Sequence, residues 1–177
     1  NMLGGLSLDN AILTVNGNLL TNTVSAANTS LLKGTGNMNA VTSLTLVNST
    51  VDGWVEVASA QIIAEGSSRF FNTSVRHEGD IQITTATDRL SIDGTTVMNS
   101  IGGVSSSPTL SGAGTLDLLT GSDWIINIDP EMAIGLTLDL NGGRITNVEL
   151  LTFPGVVNAH QIDFIENGVI TIPVTTT

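Results

Sequence analysis

The chain contains no cysteine, which removes disulfides, thiol catalysis and Cys-ligated zinc or iron–sulfur centres. Basic residues are nearly as scarce. Lys33 is the only lysine, and five Lys and Arg face 16 Asp and Glu, for a formal net charge of −11. Such a chain lacks the electrostatic footprint of a nucleic-acid or anionic-lipid binder, so no nucleic-acid partner is expected. No apolar run approaches the roughly 18 residues that span a bilayer as a helix, and membrane insertion is not expected either. Aromatics are limited to four Phe and two Trp with no Tyr, and there are four prolines. The opening Asn1-Met2-Leu3-Gly4-Gly5 has no basic n-region of the kind that begins a signal peptide. So few lysines and arginines suit an extracellular or virion-surface protein better than a cytosolic enzyme.

What is present points to strands. Thr, Gly, Ser and Asn make up 75 of the 177 residues, while 41% of the chain is hydrophobic, too much for a disordered polypeptide. One domain is expected at this length, large enough to bury a core without staples. The good helix formers Glu, Lys, Gln and Arg are few. Apolar–polar alternation recurs instead, in Leu44-Thr45-Leu46, Ile81-Gln82-Ile83, Leu90-Ser91-Ile92 and Leu136-Thr137-Leu138-Asp139-Leu140. The spacing predicts an all-β fold.

Turn dipeptides separate these runs. Asn16-Gly17, Asp52-Gly53, Glu65-Gly66, Glu78-Gly79, Asp93-Gly94, Asn141-Gly142 and Asn167-Gly168 are each expected to adopt positive φ. Glycines 53, 66 and 79 lie 13 apart, as do 142, 155 and 168. Such quasi-periodicity suits two architectures, a β-solenoid of stacked rungs and a β-sandwich or jelly roll. The short runs and few rings favour the solenoid, because a narrow stacked core fills with Val, Ile and Leu. Residues 1–150 are expected to form the solenoid body. Residues 151–177, with longer apolar runs, are expected to be a C-terminal cap or subunit-contact segment of the same domain.

The stretch from Gly34 to Ile83, with Leu44-Thr45-Leu46-Val47-Asn48-Ser49-Thr50-Val51-Asp52-Gly53 at its centre, resembles the right-handed β-helices of bacterial surface adhesins, autotransporter passengers and phage tail spikes. The resemblance implies an architecture and a setting, a virion or cell surface. It assigns no catalytic residue.

Chemistry is sparse. Asp117, Asp123 and Asp129 recur at six-residue spacing, with Asp139 and Asp163 nearby. Paired carboxylates could serve hydrolysis of a glycosidic bond, but six residues along one strand span roughly 20 Å, so pairing would have to come from folding between rungs. His77 and His160 are isolated, and no His-x-x-His or nucleophile elbow occurs. No catalytic residue, metal ligand or cofactor is therefore expected. Trp54 follows Asp52-Gly53, and Trp124 follows Asp123. A ring beside an acid just after a turn is a candidate sugar platform, so Asp52, Trp54, Asp123 and Trp124 are the candidate ligand-binding residues. Packing of both rings inside the fold is the competing reading.

These features favour a non-enzymatic structural or adhesive module of a virion, such as a tail spike or fibre, or of a bacterial surface structure, with a glycan receptor as a candidate partner. The alternatives are a fragment of a polysaccharide-degrading enzyme using paired Asp or Glu, and a carbohydrate-binding module. Self-association into a homo-oligomer, trimer or filament, is expected. Its candidate contact residues are Ile162, Phe164, Ile165, Val169, Ile170 and Ile172.

Overall fold

The computed structural model describes residues 3–101, 107–128, 130–147, 150–152, 156–159, 163–164 and 169–171, with side-chain burial from residue 4 to residue 146. Every regular element among them is a strand. Every pairing between these strands is parallel, in sheets of 13, 8 and 2 strands. The chain is a parallel β-solenoid of about seven turns.

Each turn has three faces. The first face is the eight-stranded sheet running from Ile12–Val15 through Thr50–Asp52 and Arg89–Asp93 to Val156–Ala159. The other two faces share the 13-stranded sheet. They are joined through two long strands, Leu19–Ala27 and Asn37–Val47, which bend with a register shift between Thr21 and Thr23. In the next turn the same path divides into Glu56–Ser59 on the second face and Gln61–Glu65 on the third. Ser74–His77 and Asp80–Ile83 repeat the division.

Turn length is regular at first and then grows. On the first face Ile12, Leu31, Thr50 and Arg69 are successive partners, each 19 residues on from the last. Ser91, Asp117 and Asp139 follow at steps of 22, 26 and 22. Asn158 returns to 19, so parallel pairing continues past residue 150.

The 13-residue glycine spacing now has a cause. A 19-residue turn with three corners places a corner about every six residues. Gly53, Gly66 and Gly79 therefore mark every second corner rather than equivalent positions. Positive φ occurs as expected at Gly17, Gly53, Gly66, Gly94 and Gly142. Gly79 differs: its φ is not left-handed, and a Cβ there would lie 2.0 Å from the Ala60 carbonyl oxygen. Close approach of two turns, not turn geometry, demands that glycine. Gly168 lies outside the described residues.

Alternation along each strand sends every second side chain inward, and parallel stacking turns these into columns. The first face stacks Leu32, Val51, Phe70, Ile92, Leu118 and Leu140, all fully buried. The second stacks Met38, Val57, Val75, Met98, Trp124 and Ile145. Leu44, Ile62, Ile81 and Leu110 do the same on the third. One column on the second face is polar inside: Ser59, His77 and Ser100 are all buried.

Asparagine builds two of the corners. Asn48 has φ 49° and Asn72 has φ 47°, a region Asn enters more readily than most residues. The Asn48 side-chain oxygen accepts the Ser67 N–H at 2.9 Å, and that of Asn72 accepts the Thr95 N–H at 3.1 Å. Gly66 and Gly94 lie directly on those amides, where a Cβ would stand 2.2 Å and 2.4 Å from the respective oxygens.

Candidate functional site

The two tryptophans are core residues. Trp54 is 1% exposed and Trp124 fully buried, so neither presents a ring face on which a sugar could stack. The reason is positional. Trp54 sits where the chain turns inward after Gly53, lying flat on Gly34 of the preceding turn, and its Nε1–H donates to the Leu32 carbonyl at 3.2 Å. Trp124 occupies an inward position of its strand, and its Nε1–H donates to Ser100 Oγ at 2.8 Å.

Asp52 and Asp123 do reach the surface, on different faces, and each already has a cation. Asp52 faces Lys33 Nζ at 3.4 Å. Asp123 receives Arg144 Nε at 3.2 Å and Thr146 Oγ1 at 3.1 Å. The acid–ring pairs read from the sequence are thus split, with the acids outside and the rings inside. Of the expected subunit-contact residues, Phe164 lies in the strand Asp163–Phe164, and Val169 and Ile170 in Val169–Thr171. Ile162, Ile165 and Ile172 lie outside the described residues.

Folding does bring two of the spaced acids together. Asp117 and Asp139 are direct register partners on the first face, where neighbouring strands lie about 4.8 Å apart. Arg89 Nη1 bridges them, 2.6 Å from Asp117 and 3.7 Å from Asp139. Asn141 Nδ2 donates to the other Asp117 oxygen at 2.7 Å. Asp123 belongs to another face, Asp129 lies outside the described residues, and Asp163 is placed only as part of its strand.

Two surface clefts accompany these faces. One, of about 450 Å³, is lined by Asp80, Thr109, Ser111, Glu131 and Met132 on the third face. Asp80 accepts hydrogen bonds there from Thr109 Oγ1 at 2.7 Å and Ser111 Oγ at 2.8 Å. The other, of about 420 Å³, lies on the first face between Asn48, Thr50, Asp52, Arg69 and Phe71. Arg69 stacks over the Phe71 ring at 4.8 Å and pairs with Asp93 at 3.2 Å. Asp80 in the first cleft, and Asp52 and Arg69 in the second, are engaged with neighbouring turns. No group of three or more His, Asp or Glu suited to a metal ion occurs among the described residues.

Among the described residues two titratable groups stand apart, neither of them visible in the sequence as special. Desolvation pushes His77 down from 6.5 to about 4, against weaker opposition from the Thr109 carbonyl and Asp80. Desolvation of Asp88 would raise its pKa, but hydrogen bonds from the Gly66 and Thr85 N–H groups, at 2.8 Å and 2.7 Å, outweigh it and hold the carboxyl below its usual value. Asp88 thereby closes the corner at which the turn first lengthens.

No protein-family model matches the chain, and comparisons with curated proteins and with solved structures find no match.

Proposed function

We propose that this solenoid is a non-enzymatic structural or adhesive module, working outside the cell on a virion, as a tail spike or fibre, or on a bacterial surface. The observation that carries the reading is where the polar side chains go. Lys33–Asp52, Arg69–Asp93, Arg76–Glu56 and Arg89–Asp117 each link one turn to another. Charges used in this way brace the turns and do not converge on a reacting group. Parallel ladders leave little extended chain for a protease to engage, a property that suits an exposed rod. A glycan receptor would be met by the polar outer faces, not by the tryptophans. Assembly into a homo-oligomer belongs to the same proposal, since a short acidic rod gains reach and avidity by multivalency. The test combines subtilisin digestion with sedimentation: slow digestion of an oligomer is expected, and a rapidly cut monomer would overturn the reading.

A second reading, polysaccharide hydrolysis, draws on one observation, the stacked Asp117 and Asp139 carboxylates. Release of new reducing ends from a panel of polysaccharides, abolished in Asp139→Asn, would establish it and displace the first.

A further inference from the structure

We infer that His77, Ser100 and Trp124 form an acid-sensitive latch that closes the corner between the second and third faces. The three residues come from three successive turns and are 1%, 0% and 0% exposed. His77 Nε2 lies 2.9 Å from the Thr109 carbonyl oxygen, and Nδ1 lies 2.8 Å from Ser100 Oγ. A carbonyl only accepts, so Nε2 carries the ring proton and Nδ1 is left with its lone pair. Ser100 therefore donates its hydroxyl proton to Nδ1 while its oxygen accepts the Trp124 Nε1–H at 2.8 Å. Every donor in the relay has one acceptor, provided that the imidazole is neutral.

Protonation breaks this order. A second N–H would then point at Ser100 Oγ, which already receives Trp124 and would have to turn its own proton elsewhere. The charge would also stand in a dry interior. The groups around it offer little help. On the same strand Arg76 is taken by Glu56 and Glu78, at 3.6 Å and 3.1 Å. Ser59, Ser100 and Trp124, from the neighbouring second-face strands, are uncharged. On the third face Asp80 attracts the imidazolium but is committed to Thr109 and Ser111, and Glu131 lies one turn further along.

The bond lost first is the one from Ser100 Oγ–H to Nδ1; Nε2–H goes on donating to the Thr109 carbonyl until the charged ring leaves its dry site. His77 and Thr109 are 32 residues apart in sequence, and their contact ties the second face to the third where the turns are longest. The opened form takes its proton near the ordinary 6.5 and the closed form only near 4. Closure is thus fully favoured above 6.5 and weakens as pH falls across that window. The closed-to-open ratio should drop on the order of 100-fold between pH 7 and pH 4.

The test uses NMR of the imidazole protons. The chain has two histidines, and His160→Gln assigns them. The His77 signal should titrate below pH 5, with Trp124 emission, read in a Trp54→Phe background, shifting at the same pH. In His77→Gln the emission should stay flat through that range, which separates the latch from general carboxylate protonation. A His77 midpoint near 6.5 would overturn the inference, as would titration without any change at Trp124 or an unchanged emission profile in His77→Gln. Should His77→Gln not fold, the parent-chain titration and the Trp124 signal decide by themselves.

Discussion

Replacing Gly34 with Ala tests the packing logic of the solenoid at one atom. Gly34 does not have a left-handed φ, so the backbone tolerates alanine; the obstacle is Trp54. An added Cβ would lie 2.3 Å from the indole Cδ2 and Cε2, whereas carbon atoms rest about 3.5–4.0 Å apart. The ring would have to retreat by more than about 1 Å. It is 1% exposed and is held by its bond to the Leu32 carbonyl. Overpacking of this kind costs about 1–3 kcal/mol, and losing the buried indole hydrogen bond adds about 1–3 kcal/mol. A total near 3 kcal/mol corresponds to roughly 6–12 °C in Tm for a chain of this size. Urea denaturation followed by far-UV circular dichroism measures it. Trp54→Leu alone should also destabilise, by about 3 kcal/mol for the lost volume. Combined with Gly34→Ala it should cost less than the two singles together, by about 1 kcal/mol or more, because the new methyl fills part of the space vacated by the ring. A neutral Gly34→Ala, or strict additivity in the pair, would refute the stacked contact.

Further outcomes follow from the same geometry. Both tryptophans should emit in the blue and resist acrylamide quenching, and adding oligosaccharide should leave their fluorescence unchanged; a titratable quench would place a ring at the surface. Gly66→Ala should cost about 2 kcal/mol or more by chemical denaturation, combining left-handed strain with the Asn48 clash, and the Asn48→Ala background should relieve the second part only. Arg89→Met should destabilise by about 1–3 kcal/mol, because it leaves the buried Asp117 beside Asp139 without a cation; Asp139→Asn should recover part of the loss, and a neutral Arg89→Met would show that the bridge is inert. The low pKa of Asp88 predicts a contribution present above about pH 4 and lost as pH falls below it, so Asp88→Asn should flatten the acid limb of the melting profile.

Much of this architecture was legible in composition and periodicity. Thr, Asn, Ser and Gly with scarce helix formers and repeated alternation leave strands and tight turns as the economical use of the chain, and few rings suit a narrow stacked core. Those properties are local, and local physics decides them. The 19-residue turn was not visible, because corners alternate between Asn and Gly: Asn48 and Gly66 do one job with different residues, as do Asn72 and Gly94, and a search for one repeated residue finds the 13-residue spacing instead. The fate of Trp54 and Trp124 was equally hidden, since whether a ring after a turn points in or out depends on strand register, and register is set by the neighbouring turn. Only stacking made Gly34 the floor beneath Trp54. It also brought Asp117 to Asp139 and His77 to Ser100. These contacts join residues about 20 or more apart, and parallel pairing, not any short-range preference, decides which side chains share a column.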